Sequence, residues 1–383
     1  MASIKLKGDT SGEVTIQAPS VAGTTTLNLP ATSSTLATTA QASIGMKNRI
    51  INGNMAIDQR NSGASSTLTN SVSYTLDRYR AVALGTSLGF SSVRSTTAPA
   101  DFSQSYLATV TSAKSVAATD QTRIDHFIEG YNVADLNFGT ANAKTITLSF
   151  WVRSSITGTY CVHIGNSTSP SRSFLAEYTI SSANTFEYKT ITISGDTTGT
   201  WTTVNGVGLG VSFVLGMGSN FTGSAGWQAG EKFQTSNQTQ WIGTSGATFY
   251  ITGVQLEANT TATPFENLQY GQQLALCQRY FERMAEAVNV PYSSGSATYA
   301  NQPRTVLFYK TQKRAVPTLS SSAASEFRFQ FSSSVNTPSA ISLASIGVDT
   351  AFLNATGITI SADTPCILIS NSSSSYLDFS SEL

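Results

Sequence analysis

The 383-residue chain carries 22 basic and 22 acidic side chains for a formal net charge of +0, and only 11% of it is charged, against about 25% in an ordinary soluble protein. No broad basic field exists to hold a phosphate backbone or an anionic bilayer, so neither nucleic acid nor a membrane is an expected partner. Ser and Thr fill more than a quarter of the positions, and 40% hydrophobic residues with 19 Phe and 14 Tyr are enough to fold two or three compact units behind a surface of hydroxyls and amides.

The opening MASIKLKGDTSGE has no apolar stretch of the secretory kind, and no run of about 18 apolar residues follows anywhere, which predicts synthesis in a cytoplasm and no membrane insertion. Residues 1–43 alternate without mass. Ile4 and Leu6, Val14 and Ile16, then Leu27 and Leu29 before Pro30 predict two or three short strands. So small a piece cannot cover its own apolar face, which predicts an attachment and trimerisation segment covered by other copies of the chain or by a docking partner.

Residues 44–266 predict a β-sandwich. In KTITLSFWVR (residues 144–153), Ile146, Leu148, Phe150 and Val152 share one face while Thr147, Ser149 and Trp151 share the other. Tyr188–Ile193 and Val207–Leu215 predict further strands between Gly-, Ser- and Thr-rich turns. In FYITGVQLEANTTATPFE (residues 249–266), strict alternation puts Phe249 and Ile251 on one face and Val254 and Leu256 on the other. A bulge at Gly253 would return the second pair to the core face.

Residues 267–290 predict a connecting helix with Leu274, Cys277, Phe281 and Met284 in one stripe and Tyr280 beside them. Residues 291–383 predict a small C-terminal β-sandwich. Val306 and Phe308 precede a basic loop (residues 309–314), Phe327, Phe329 and Phe331 alternate with polar neighbours, and Ile341 with Leu343, Ile358 with Ile360 and Ile367 with Ile369 repeat the period of two. The expected class is therefore all-β. Cys161, Cys277 and Cys366 are odd in number and far apart, which predicts three buried thiols.

The chain has only two histidines, His126 and His163, and no GxSxG, HExxH or Gly-rich phosphate loop, so nucleophilic and cofactor chemistry are not expected. His126 lies in RIDHFIEGY, where Asp125 and Glu129 predict a charged strand face. Glycoside hydrolysis needs only two carboxylates about 5–9.5 Å apart and stays open as an alternative.

Several motifs carry a resemblance. GEVTIQAPSVAGTTTLNLPATSSTL, residues 12–36, resembles a module near the N-termini of phage tail fibre proteins that joins the fibre to the particle. KNRIINGNMAIDQRN (residues 47–61) and SYTLDRYRA (residues 73–81) resemble the opening of that family's jelly roll, and residues 249–266 resemble the last strand of its carbohydrate-binding-like jelly rolls. KRAVPTLS (residues 313–320) resembles the stretch following the family's helix.

The resemblance, in scattered motifs from Ser11 to Thr318, implies a protein of the virion tail. Its N-terminal segment would dock onto other tail proteins, the jelly roll would form the body, and residues 291–383 would form a host-facing tip. A homotrimer would bind host surface polysaccharide by avidity. Two other readings stand beside it: a purely structural virion component such as a capsid decoration or tail adaptor, and a polysaccharide depolymerase.

Sugar recognition calls for aromatic faces flanked by hydroxyl and amide groups. Trp201, Trp227 and Trp241 are the candidates in the middle unit, with Trp227 placed in a Gly-rich loop; the competing reading makes all three core or loop anchors. Tyr292, Tyr299 and Tyr309 with Arg304 and Lys310 are expected to form a second patch. No cofactor is expected. Jelly rolls of this class often hold a structural calcium near their first strand, and Asp58 and Asp77 are the nearest acids, short of the six to eight oxygens the ion takes.

Overall fold

A computed structural model describes residues 3–7, 13–17, 46–166, 171–332 and 334–383, and the chain divides into two units, residues 1–45 and 46–383. In the first, β1 (Ser3–Lys7) and β2 (Glu13–Gln17) pair antiparallel, setting Ile4 opposite Ile16 and Leu6 opposite Val14. Leu27 and Leu29 lie outside the described residues.

The second unit opens with thirteen strands: β3 (Ser66–Thr69), β4 (Ser71–Leu76), β5 (Tyr79–Leu84), β6 (Gly89–Ser95), β7 (Ser105–Ser112), β8 (Gln121–Glu129), β9 (Ile146–Ser154), β10 (Gly158–Gly165), β11 (Arg172–Ile180), β12 (Glu187–Ile193), β13 (Val207–Met217), β14 (Gly226–Ala229) and β15 (Thr248–Glu257). They form a seven-stranded sheet ordered β14-β11-β10-β13-β8-β5-β4 and a six-stranded sheet ordered β12-β9-β15-β7-β6-β3. The two pack as a jelly-roll sandwich. Its core takes Ile146, Leu148, Phe150 and Val152 from β9, Ile124 and Ile128 from β8, and Val211, Phe213 and Leu215 from β13, each burial stabilising by about 1.5–3 kcal/mol.

The bulge in β15 lies where the sequence predicts it. The register shifts between Thr252 and Gln255, and Gly253 takes φ +61°. Phe249, Ile251, Val254 and Leu256 therefore all reach the core at 0% exposure. A Cβ at Gly253 would lie 2.7 Å from Phe102 Cζ, so only glycine fits.

The connecting helix is shorter than predicted. α1 spans Tyr270–Gln278, and Phe281 and Met284 lie instead on β16 (Phe281–Ala285). The helical stripe loses to strand pairing, because Phe281 to Ala285 pair with Ser380 to Tyr376 at the chain's end. The strands that follow are β17 (Pro291–Tyr299), β18 (Gln302–Phe308), β19 (Thr318–Ser321), β20 (Phe327–Phe331), β21 (Ser334–Asn336), β22 (Ala340–Ala344), β23 (Thr350–Thr356), β24 (Pro365–Ser370) and β25 (Tyr376–Ser380). A three-stranded sheet, β16-β25-β19, packs on a seven-stranded one, β21-β20-β24-β17-β18-β23-β22.

Two further expectations are corrected here. Ile358 and Ile360 are buried, but on the loop after β23. In β18 and β24 the residues between the obvious apolar pairs enter the core, Leu307 and Leu368, while Phe308 is 71% and Ile367 40% exposed; Ile369 alone of the pairs' members is buried, at 6%. A shift of one residue exchanges the faces of a strand.

Ion pairs and hydrogen bonds seat the C-terminal sandwich on the jelly roll. Arg60 Nη2 and the buried Arg78 Nη1 both donate to Glu382. Arg279 and the Tyr280 hydroxyl converge on Glu129, at 2.7–2.9 Å. Within the C-terminal sandwich, Lys313 Nζ donates to Glu282 at 2.5 Å and to Gln278 O at 2.6 Å, with both charged side chains at 0% exposure. Lys313→Ala leaves the Glu282 charge buried without its partner, and is expected to lower the unfolding free energy by about 3–5 kcal/mol in chemical denaturation, with most of the loss recovered in the Lys313→Met/Glu282→Leu double variant.

Candidate functional site

The outer face of the seven-stranded jelly-roll sheet carries an ordered row of polar side chains. Across four neighbouring strands the register aligns Arg80 (β5), Asp125 (β8), Ser212 (β13) and His163 (β10). Alternation explains their placement, since Ile124, Phe213, Val211 and Ile164 next to them point into the core. The adjacent row is Phe127, Gly210, Gly165 and Ser173. Together they line a groove of about 380 Å³ whose rim includes Asn166, Glu231 and Phe233.

Glycine paves the floor for a steric reason. A Cβ at Gly165 would meet His163 Nε2 at 2.5 Å, and one at Gly210 would meet the Phe127 ring at 3.2 Å. Both aromatic rings can thus lie low over the backbone. Phe233 comes from the loop between β14 and β15, held down by its own amide to Phe221 O at 2.9 Å and by Gln234 Nε2 to Met217 O at 2.7 Å. Its ring packs between His163, with centroids 4.4 Å apart, and the Arg123 guanidinium, 4.3 Å from the centroid.

Asp125 is the electrostatic hinge of the row. Its carboxylate accepts from Arg80 Nη2 at 2.7 Å and from Arg123 Nε at 3.0 Å. Burial works to raise its pKa, but Arg123, Arg80 and the Ser212 hydroxyl outweigh burial and hold it below the usual carboxylate range. The Ser212 hydroxyl also lies 3.4 Å from His163 Nδ1. Burial first and Arg123 second lower the His163 pKa to about 3. The imidazole is therefore neutral at physiological pH, with one ring nitrogen an acceptor.

This order differs from a nucleophilic triad, in which the acid orients the histidine and the histidine deprotonates the serine. Here serine stands between acid and imidazole. Arg80 Nη1 and Arg123 Nη2 have no hydrogen-bond partner among the described residues, and the His163 imidazole and the Phe233 ring stand beside them. Guanidinium forks suit paired oxygen acceptors.

The residues singled out from sequence are scattered. Trp241 is fully buried against Phe90 and Phe249, a core residue with no face to offer. Trp227 lies on strand β14, not in a loop. It packs edge-on with Trp201, centroids 5.7 Å apart, and both indoles pack against Phe138 and donate to backbone carbonyls of Ser194 and Thr198. They close the sandwich edge.

The tyrosine patch does not assemble. Tyr292 donates to Ser375 O and packs on Phe327, Tyr309 is buried against Phe379, and Arg304 donates to Asn354; of the three tyrosines only Tyr299, 64% exposed at the far end of β17 from Tyr292, presents its ring. Asp58 accepts backbone amides of Asn61 and Gly63, and Asp77 accepts both the amide and side chain of Gln59. Burial pushes the Asp77 carboxyl up to about 6 against the pull of Arg60. Among the described residues no group of three or more His, Cys, Asp and Glu could hold a metal ion, and no helix is long and apolar enough to cross a membrane. His126 is buried on the inner side, bonded to Ile51 O at 3.0 Å, and stands apart from the Asp125 face.

No family model and no curated protein matches the chain. Solved structures similar to it include the C-terminal family 22 carbohydrate binding module of Clostridium thermocellum Xyn10B (12% identity, 55% of this chain and 98% of that one, TM-score 0.28). Others are a family 11 carbohydrate-binding module from Clostridium thermocellum in complex with a β-1,3-1,4-mixed-linked tetrasaccharide (10%, 52% and 99%, 0.27) and the N-terminal cellulose-binding domain of Cellulomonas fimi β-1,4-glucanase C (13%, 42% and 84%, 0.22). These likenesses give no residue correspondence, and the groove rests on its own geometry.

The two histidines set the acid limb of stability. His126, lowered to about 3 by burial and then by Arg78, joins His163 in staying neutral when folded, whereas both protonate below their ordinary 6.5 when unfolded. Each removes stability as pH falls below 6.5, while Asp77, raised from 3.8, adds some back below about 6. From pH 6 to pH 5 the unfolding free energy is expected to fall by a net ~1.4 kcal/mol per pH unit, and more steeply toward pH 4, where Asp125, Glu129, Glu187 and Asp196, all held low in the fold, take up protons in the unfolded chain. Denaturant titrations at pH 7, 6, 5 and 4 check the slope, and a flat profile contradicts it.

Proposed function

We propose that the chain is a non-catalytic glycan-binding protein of a bacteriophage tail fibre, and that it holds host-surface saccharide in the groove between Arg80, His163 and Phe233. One observation carries the binding reading: Arg80 Nη1 and Arg123 Nη2, on guanidinium groups anchored to Asp125 and without a partner of their own among the described residues, line a glycine-floored groove on a rigid sheet. Sugar hydroxyls and carboxylates supply oxygen acceptors for the nitrogen that each guanidinium leaves over beside Asp125. The serine interposed between Asp125 and His163 favours binding over catalysis.

The fibre setting rests on the motifs at residues 47–60, 74–80 and 249–266, and on the alternating N-terminal segment, read as the docking and trimerisation element. Three copies of one modest site on a trimer would give avidity without high single-site affinity. A purely structural virion component would have the same scaffold and no sugar.

A glycan array on the purified full chain tests the reading, with host polysaccharide incubated in parallel and sized for fragments. Arg80→Ala, which leaves Arg123 on Asp125, is expected to weaken the wild-type hits about tenfold, with no polysaccharide shortened. A silent wild type supports the scaffold alternative, and shortened products support a depolymerase.

A further inference from the structure

The six-stranded sheet of the jelly roll presents a second groove on its own outer face, on the opposite side of the sandwich from the first. Tyr188, Trp151 and Thr252 stand side by side on β12, β9 and β15. The Trp151 and Tyr188 rings lie 5.3 Å apart at 48°, and Tyr188 is 44% exposed. Phe102 and Phe265, edge to face at 5.2 Å, form the other wall. The Gly253 bulge lets Phe102 and Trp151 approach the backbone between them. The enclosed volume is about 680 Å³, and Ser149, Asp101 and Asn267 add a hydroxyl, a carboxylate and an amide to the lining.

The platform continues along the sheet. Arg153, two residues beyond Trp151 on the same face, lies over Tyr250 and Phe186 at 5.0 and 5.8 Å from their centroids, and its Nε has no hydrogen-bond partner among the described residues. Rings in sequence along a strand face, flanked by single polar groups, match a ligand with alternating apolar faces and hydroxyl edges.

The chemistry narrows the ligand. Asp101 is the one charged residue of the groove lining, Arg153 lying beyond it along the strand, and makes no ion pair among the described residues, so an anionic sugar seated on Trp151 and Tyr188 would meet repulsion there. An apolar protein segment or acyl chain would bury the Asp101 and Asn267 polar groups without partners. We propose that this groove is a second saccharide site, selective for a neutral pyranose chain that stacks on Trp151 and Tyr188. It shares the glycan-binding reading but none of its residues, so one chain would grip surface polysaccharide from both sheets.

The test uses the full chain on an array of neutral and acidic glycans, comparing wild type with Trp151→Ala, Tyr188→Ala and Arg80→Ala. Tyr188 is exposed, so its variant keeps the fold, as an unchanged thermal melt would show. The expected result is a tenfold or greater loss of neutral-glycan signal in the Trp151 and Tyr188 variants, with the hits that depend on Arg80 retained. Neutral signal unchanged in both variants, neutral signal lost only with Arg80→Ala, or no neutral hit for the wild type overturns the second site. Neutral signal lost with Trp151→Ala while Arg80→Ala changes nothing would sink the first groove and leave this one standing.

Discussion

A buried guanidinium ties the parts of this molecule together. Arg78 is 1% exposed, stacks over the Tyr280 ring at 3.6 Å, donates to Glu382 near the chain's last residue and reaches the Phe127 carbonyl at 2.5 Å. A charge so far from water costs several kcal/mol unless a counter-charge offsets it, and Glu382 supplies that charge while Arg78 Nε has no hydrogen-bond partner among the described residues, so the C-terminal tail must return to the jelly roll for Arg78 to be tolerated. Tyr74, donating to Leu383 O, and Arg314, donating to Ser381 and Glu382 carbonyls, fix the same tail. The C-terminal sandwich is consequently seated on its neighbour by the end of the chain as well as by α1.

Strand β8 links this seam to the groove. It carries Arg123, Asp125 and Phe127 along its outer face and ends in Glu129, which receives Arg279 and Tyr280. The groove residues on β8 therefore stand on an element anchored at both ends, the condition under which side chains would keep their geometry before a ligand arrives. The motifs around Arg60 and Arg78, which resemble a jelly-roll opening, turn out to serve as the socket for the tail. Asn48 explains another link: its side chain bonds the Leu256 amide and Val254 carbonyl, tying the first motif to the last strand across the bulge.

Elements with one buried face were legible in the sequence, because a period of two maps directly onto burial. β9 and the bulged β15 follow from Ile146 to Val152 and from Phe249 to Leu256 with no other information. Where both faces carry apolar residues the pattern is ambiguous, and Val306, Phe308 and Ile367 face outward for that reason. The segment from Tyr280 to Ala285 looked helical because its partner, the chain's end, is about a hundred residues away and local spacing cannot show a long-range pairing.

The groove was hidden for a related reason. Its residues come from five strands and a loop, and only their register unites them. Two signals existed: Arg123 and Asp125 alternate with Ile124 inside RIDHFIEGY, and Gly165 and Gly210 interrupt apolar strands, a mark of close approach over a backbone. Tryptophan count misled, since Trp241 fills the core and Trp201 with Trp227 brace an edge. A crystal structure of the full chain soaked with its strongest-binding glycan tests the account most directly. The account requires saccharide density between Arg80, His163 and Phe233, with the Arg80 guanidinium on sugar oxygens. A glycan bound only to the C-terminal sandwich, with that groove empty, would contradict it.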